Sequence, residues 1–125
     1  MLFKFYWTKS STPSPVSESE PKEKYGYNPL DCLLMDSGGL DKNSTLEWIR
    51  EALRNIKNIK EEKIESYYWG RESWAADISK SFVIVYSLND ESVKQEIELE
   101  SFKIILLKWK EFLLKENLSE QKFTI

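Results

Sequence analysis

The residues available for chemistry are few. Histidine is absent, which removes the commonest general acid/base and metal ligand near neutral pH. Carboxylates remain, and Glu72 with Asp77 is the sort of pair that could act as acid and base, although exposed Glu and Asp on strands are far more often a solvated face. Cys32 is the only cysteine, so no internal disulfide can form; it reads as a small buried apolar residue in a reducing compartment. Without histidine or paired cysteines, and with no Asp-rich calcium loop, no metal and no cofactor is expected, and no catalytic residue is assigned.

One loop invites a nucleotide reading. Ser37-Gly38-Gly39-Leu40-Asp41, followed by Ser44 and Thr45, resembles the Ser-Gly-Gly-x-Asp-Ser loop of the ATP-pyrophosphatase family, in which backbone amides and a helix N-terminus embrace a pyrophosphate. Lys42 stands where that family has serine. The residues before the loop read as a helix, not as the buried parallel strand that such a site requires. The competing reading is a helix C-cap followed by the N-cap of the next helix.

Charge is distributed unevenly. Between Glu61 and Glu100 ten acidic residues face four basic ones, a balance of −6 that leaves +3 on the rest of a chain whose net charge is −3. An acidic segment of this kind can steer a basic partner over long range, whereas the basic stripe of a nucleic-acid binder is missing. Tyr67, Tyr68, Trp69 and Trp74 surround Gly70-Arg71-Glu72-Ser73, and aromatics beside arginine are typical of interface anchors as well as of cores.

These residues have to be positioned by a chain of 125 residues with 41% hydrophobic and 31% charged content, which is enough for one core and predicts a single domain. Leu2 to Trp7 reads as a first strand. Residues 9–24, rich in Ser, Pro and Glu, offer little to bury and read as a mobile loop. Asn28-Pro29 starts a short helix that Gly38-Gly39 stops. Ser44-Thr45-Leu46-Glu47 fits a capping box, and Ile49, Ala52, Leu53 and Ile56 mark the apolar face of a helix over residues 45–58.

Beyond it the period changes to two. Segments 64–69, 74–78, 82–86 and 93–99 read as strands of an antiparallel meander, with Phe82 to Tyr86 as a central strand buried on both faces. Phe102, Ile105, Leu106, Trp109, Phe112 and Leu113 form a wide apolar stripe on a closing helix, and residues 118–125 read as a frayed tail. The expected class is α+β: a meander packed against two main helices plus a short N-terminal helix. No apolar run approaches the roughly 20 residues needed to span a bilayer, and the opening residues lack the pattern of a signal peptide, so a cytoplasmic protein without membrane contact is expected.

The segment from about Tyr68 to Leu113 carries a further likeness. Trp69-Gly70, Trp74-Ala75-Ala76-Asp77-Ile78, Val83 to Glu91, and Leu99-Glu100-Ser101-Phe102 leading to Leu106, Trp109, Phe112 and Leu113 resemble bacterial immunity proteins of polymorphic-toxin and contact-dependent growth inhibition systems. The resemblance implies a small α+β protein that binds the C-terminal domain of a cognate toxin, often a nuclease, and blocks its active or substrate-binding site. On that reading chemistry, not a transferred family site, selects Glu72, Asp77, Glu96 and Glu98 for charge complementarity and Tyr68 and Trp69 as apolar anchors. A generic protein-binding adaptor is the alternative, and a small nucleotide-dependent enzyme built on Ser37 to Asp41 is the third reading.

Overall fold

The computed structural model describes residues 1–115 and 118–125. Its elements in chain order are strands β1 (Leu2–Trp7) and β2 (Pro15–Glu20), helices α1 (Pro29–Met35) and α2 (Lys42–Lys60), strands β3 (Ser66–Gly70), β4 (Trp74–Ser79), β5 (Phe82–Ser87) and β6 (Lys94–Glu98), helix α3 (Leu99–Leu114) and strand β7 (Gln121–Thr124). The α+β class holds. The expected antiparallel meander is the four-stranded sheet β3-β4-β5-β6, and a three-stranded sheet in the order β2-β1-β7 accompanies it.

The meander buries one face. Trp69, Ala76, Ile78, Val83, Val85 and Ile97 point inward at alternate positions and join Ile49, Ala52 and Ile56 of α2 and Phe102, Ile105 and Leu106 of α3 in one contiguous core. Helix α3 serves both sheets. Near its start Phe102 meets Trp69 edge-on at 6.0 Å, and near its end Trp109 and Phe112 lie 4.8 and 5.6 Å from the ring of Phe5 on β1. Among the described residues no helix is long and apolar enough to cross a membrane.

Five expectations about the elements need correction. Residues 9–24, expected to be a mobile loop, contain β2, which pairs with β1 from Leu2↔Glu20 to Trp7↔Pro15. The reason is polar: β2 buries hydroxyl groups where most strands bury methyl groups. Ser17 and Ser19, each 1% exposed, donate to Asp31 Oδ1 (2.6 Å) and Oδ2 (2.7 Å) on α1, and Asn28 Nδ2 donates to Ser19 Oγ (2.7 Å). Such a strand is invisible to a search for apolar periodicity.

The tail expected to fray forms β7, antiparallel to β1. Phe123 stacks on Phe3 at 5.1 Å, and Met1 and Ile125 exchange hydrogen bonds of 2.8 and 2.9 Å through the terminal amine, the Ile125 N–H and both carbonyls. Strand β5 is not buried on both faces. Val83, Val85 and Ser87 are buried while Phe82, Ile84 and Tyr86 are not, because the helices that meet the meander pack on the side to which Val83 and Val85 point. Finally, the capping box at Ser44 gives way to Asp41, whose carboxylate accepts from Ser44 N–H at 2.8 Å, so the helix begins at Lys42 and extends to Lys60. Leu99, expected to end the last meander strand, is the first residue of α3.

Burial raises the Asp31 carboxyl above the ordinary carboxylate range, and the Ser17 and Ser19 hydroxyls offset this only in part. The folded chain therefore holds this proton more tightly than the unfolded chain does. Through this group, stability falls as pH rises from about 4, the unfolded value, up to the raised folded value, and is level above it. Asp31→Asn cannot ionise. Urea denaturation of both chains across this range should show the stability difference shifting in favour of the variant as pH rises and then levelling; a difference independent of pH would mean that Asp31 titrates alike in both states.

Candidate functional site

The outward face of the meander is assembled by strand register. Tyr68, Asp77, Ile84 and Glu96 lie opposite one another across β3, β4, β5 and β6; Tyr86 pairs with Lys94 in the next outward row on one side, and Phe82 with Glu98 on the other. Neighbouring strands are about 5 Å apart, so Asp77 and Glu96 stand about 10 Å apart across Ile84. The face thus has an apolar and aromatic centre flanked by carboxylates.

Its details follow from local sequence. Tyr68 is 56% exposed and Phe82 47%. The Tyr68 ring lies across Gly70: a Cβ at Gly70 would come within 2.5 Å of the Tyr68 hydroxyl oxygen, so only glycine lets the ring lie there. Tyr86 donates to Asp77 Oδ1 at 3.3 Å. Burial first, and then the negative charge of Asp77 and this hydrogen bond, push the Tyr86 phenol up to about 12, so it remains a neutral donor at physiological pH.

Glu47, Glu61, Glu62, Glu100 and Glu120 each have a lysine or arginine within ion-pair distance. Among the described residues Asp77, Glu96 and Glu98 have none, and Lys94 is the one basic side chain in these rows. Three carboxylates without an ion pair thus share this exposed face, while others without one, such as Glu65, Glu72 and Glu91, lie elsewhere.

Of the six residues selected from the sequence, Tyr68, Asp77, Glu96 and Glu98 come together on this face. Glu72 is exposed but sits in the turn between β3 and β4, at the end of the sheet. Trp69 does not belong to the face. It is 1% exposed on the opposite side, stacks on Trp48 with centroids 3.8 Å apart, and donates from Nε1 to Trp48 O at 2.8 Å, so it anchors the core and not a partner. Phe82, Ile84 and Tyr86 were missed because a continuous apolar run conceals its own alternation; the signal was the charged alternation of β6, Lys94, Glu96 and Glu98, which fixes the outward parity of its neighbour.

The loop Ser37–Asp41 is not arranged as a phosphate cradle. Gly38 N–H is taken by Asp36 Oδ1 (3.3 Å), Gly39 N–H by Ser37 Oγ (3.2 Å) and Leu40 N–H by Ser37 O (3.0 Å), so the amides point inward to the loop's own acceptors. Helix α1 precedes it where a parallel strand would have to run. Arg71 ties it down, donating to Ser37 O and, at 3.3 Å, to Ser44 O, while its guanidinium lies 4.3 Å from the Trp48 ring centroid. Among the described residues no cluster of three or more His, Cys, Asp or Glu could hold a metal ion. No family model matches the chain, and no similar protein is found among curated proteins or among solved structures.

The two neighbours Tyr68 and Trp69 should separate cleanly on truncation. Trp69→Ala removes a buried stack and is expected to cost about 3–5 kcal/mol, whereas Tyr68→Ala, on the open face, should cost under about 1 kcal/mol. Urea denaturation reads both. A larger cost for Tyr68→Ala than for Trp69→Ala would mean that the faces are assigned the wrong way round.

Proposed function

We propose that the chain is an immunity protein that binds and neutralises a cognate bacterial toxin domain, and that it does so with the outward face of the meander. The observation that supports this reading is the placing of Asp77, Glu96 and Glu98, none of them in an ion pair, beside Tyr68, Phe82 and Tyr86 on one exposed sheet face. An interface needs apolar anchors for affinity and charge for orientation and encounter, and this face supplies both. A nuclease domain, whose substrate-binding surface is basic to suit phosphates, presents the complementary potential. A carboxylate-bearing sheet seated on that surface would exclude the nucleic acid without any bond being made or broken.

The test is genetic and kinetic. A toxin domain encoded beside the chain should arrest growth when expressed alone, and co-expression of the chain should restore growth. Glu96→Lys combined with Glu98→Lys should slow association of the purified pair by at least about tenfold at low salt and flatten its salt dependence, with a smaller effect on dissociation. Rescue by the doubly substituted chain at an unchanged association rate would place the interface elsewhere. Absence of any protective effect of the unsubstituted chain would overturn the reading in favour of an adaptor with a different partner.

A further inference from the structure

Among the described residues the two sheets have four edge strands, and an edge strand presents a row of backbone N–H and C=O groups that another strand can take up. Three of the four are blunted. Strand β2 opens with Pro15, which has no N–H, and its Ser19 carbonyl accepts from Asn28 Nδ2 at 3.2 Å. On β6 the Lys94 N–H donates to the Tyr25 hydroxyl at 3.0 Å, and Glu96 and Glu98 add charge along the rest of the strand. Strand β7 is four residues long and carries Lys122. Strand β3 has none of these devices: Ser66-Tyr67-Tyr68-Trp69-Gly70 contains no charge and no proline, and its pairing with β4 runs without a bulge from Ser66↔Ser79 to Gly70↔Ala75.

The hydrogen-bond pattern identifies the free groups on β3. Arg71 N–H donates to Trp74 O at 2.9 Å where the β3–β4 hairpin turns, and in an antiparallel ladder bonded and non-bonded pairs alternate. Tyr67 and Trp69 therefore bond to β4, while the N–H and C=O of Ser66, Tyr68 and Gly70 point away from it. The Gly70 carbonyl agrees with that parity and is engaged at its own end, accepting from Trp48 Nε1 at 3.1 Å. Among the described residues nothing takes the outward backbone groups of Ser66 or Tyr68, and both residues are exposed. Each chain thus offers two donors and two acceptors in the spacing of a ladder.

We propose that β3 pairs antiparallel with β3 of a second copy about a two-fold axis at Tyr67, joining the two meanders into one continuous sheet. The free set is self-complementary. With Ser66 opposite Tyr68 of the second copy, both donors and both acceptors of each chain are used, and the engaged Gly70 carbonyl is not needed. Such an isologous contact sets no like charges opposite one another, since Ser66 meets Tyr68 and Tyr67 meets Tyr67. The acidic faces do not oppose it: Asp77 of each copy stands on β4, three strand spacings or at least about 14 Å from its counterpart, beyond the roughly 8 Å over which exposed charges act at physiological salt. Two five-residue edges cover little area, so the dimer is a weak one of micromolar affinity. Pairing in the plane of the sheet leaves Asp77, Glu96 and Glu98 open, so the dimer does not rest on the proposed toxin binding.

Sedimentation equilibrium and amide hydrogen exchange of the full chain, each from about 1 μM to about 1 mM, test this. The mass should rise with concentration from 14.8 kDa toward twice that value. The Ser66 and Tyr68 amides should exchange quickly in the monomer and slow in step with the dimer, while those of Tyr67 and Trp69, bonded to β4, stay protected throughout. Ser66→Pro removes an N–H that β4 does not use, so β3 keeps its place, and should weaken the dimer by at least about tenfold. A chain monomeric at every concentration would overturn the proposal. So would a dimer whose Ser66 and Tyr68 amides still exchange at the monomer's rate, or one that Ser66→Pro leaves as tight; association would then use another surface, such as the exposed Ile104, Leu107 and Leu114 of α3. The exchange measurement uses the unsubstituted chain and decides the matter even where Ser66→Pro fails to fold.

Discussion

The buried carboxylate of Asp31 is the constraint on which the arrangement of the two sheets depends. It sits on a seven-residue helix whose polar groups reach in two directions. Towards the small sheet, Asp31 takes both buried serines of β2. Towards the meander, Gln95 Oε1 of β6 accepts the Leu30 N–H at 3.0 Å, and Asp36 Oδ2 accepts the N–H groups of Ser73 and Trp74 at 2.8 and 3.1 Å. Helix α1 is too short to be stable by its own hydrogen bonds. It persists because it is the shared polar partner of both sheets, and each buried group it presents is satisfied, which is the condition for such a network to stabilise a fold.

That same network explains what sequence reasoning could and could not reach. Apolar periodicity located β1, the four strands of the meander and the stripes of α2 and α3, because in each of these most buried positions are hydrocarbon, Thr45, Ser87 and Gln95 being the exceptions. Ser17 and Ser19 alternate as regularly as any strand, but their alternation is hydroxyl against carboxylate and carries no hydropathy signal. The helix boundary at Asp41 was missed for a related reason: Asp41 and Ser44 are both good N-cap residues three positions apart, and the backbone can use only one. Within the site, Asp77, Glu96 and Glu98 were legible because charged residues on strands face water. Trp69 was not, since a Tyr-Tyr-Trp run has no polar member to set the parity and only pairing with β4 places Trp69 opposite Ala76.

The loop between α1 and α2 shows how a local sequence likeness can be dissolved by its surroundings. A glycine pair with positive φ can turn its amides toward an anion or toward its own side chains, and here Ser37 and Asp36 take them. What fixes that choice is remote in sequence. Arg71, lying over Trp48, which is itself stacked on Trp69, takes the carbonyls of Ser37 and Ser44, so the loop is clamped to the core by the turn between β3 and β4. Arginine is suited to this because one planar group can stack on an indole and donate in its own plane.

The meander then separates two tasks by parity. Inward residues such as Trp69, Ile78, Val83 and Ile97 determine whether the chain folds, and a change at any of them disturbs close packing. Outward residues in the same strands, Tyr68, Asp77, Phe82, Ile84 and Glu96, touch neither helix α2 nor helix α3 closely enough to be buried, so their charge and shape can change with little effect on the core. Under the proposed function this independence would let the surface potential be retuned while the fold is kept. On the proposed function, carboxylates left without an ion pair keep the potential that a partner would meet.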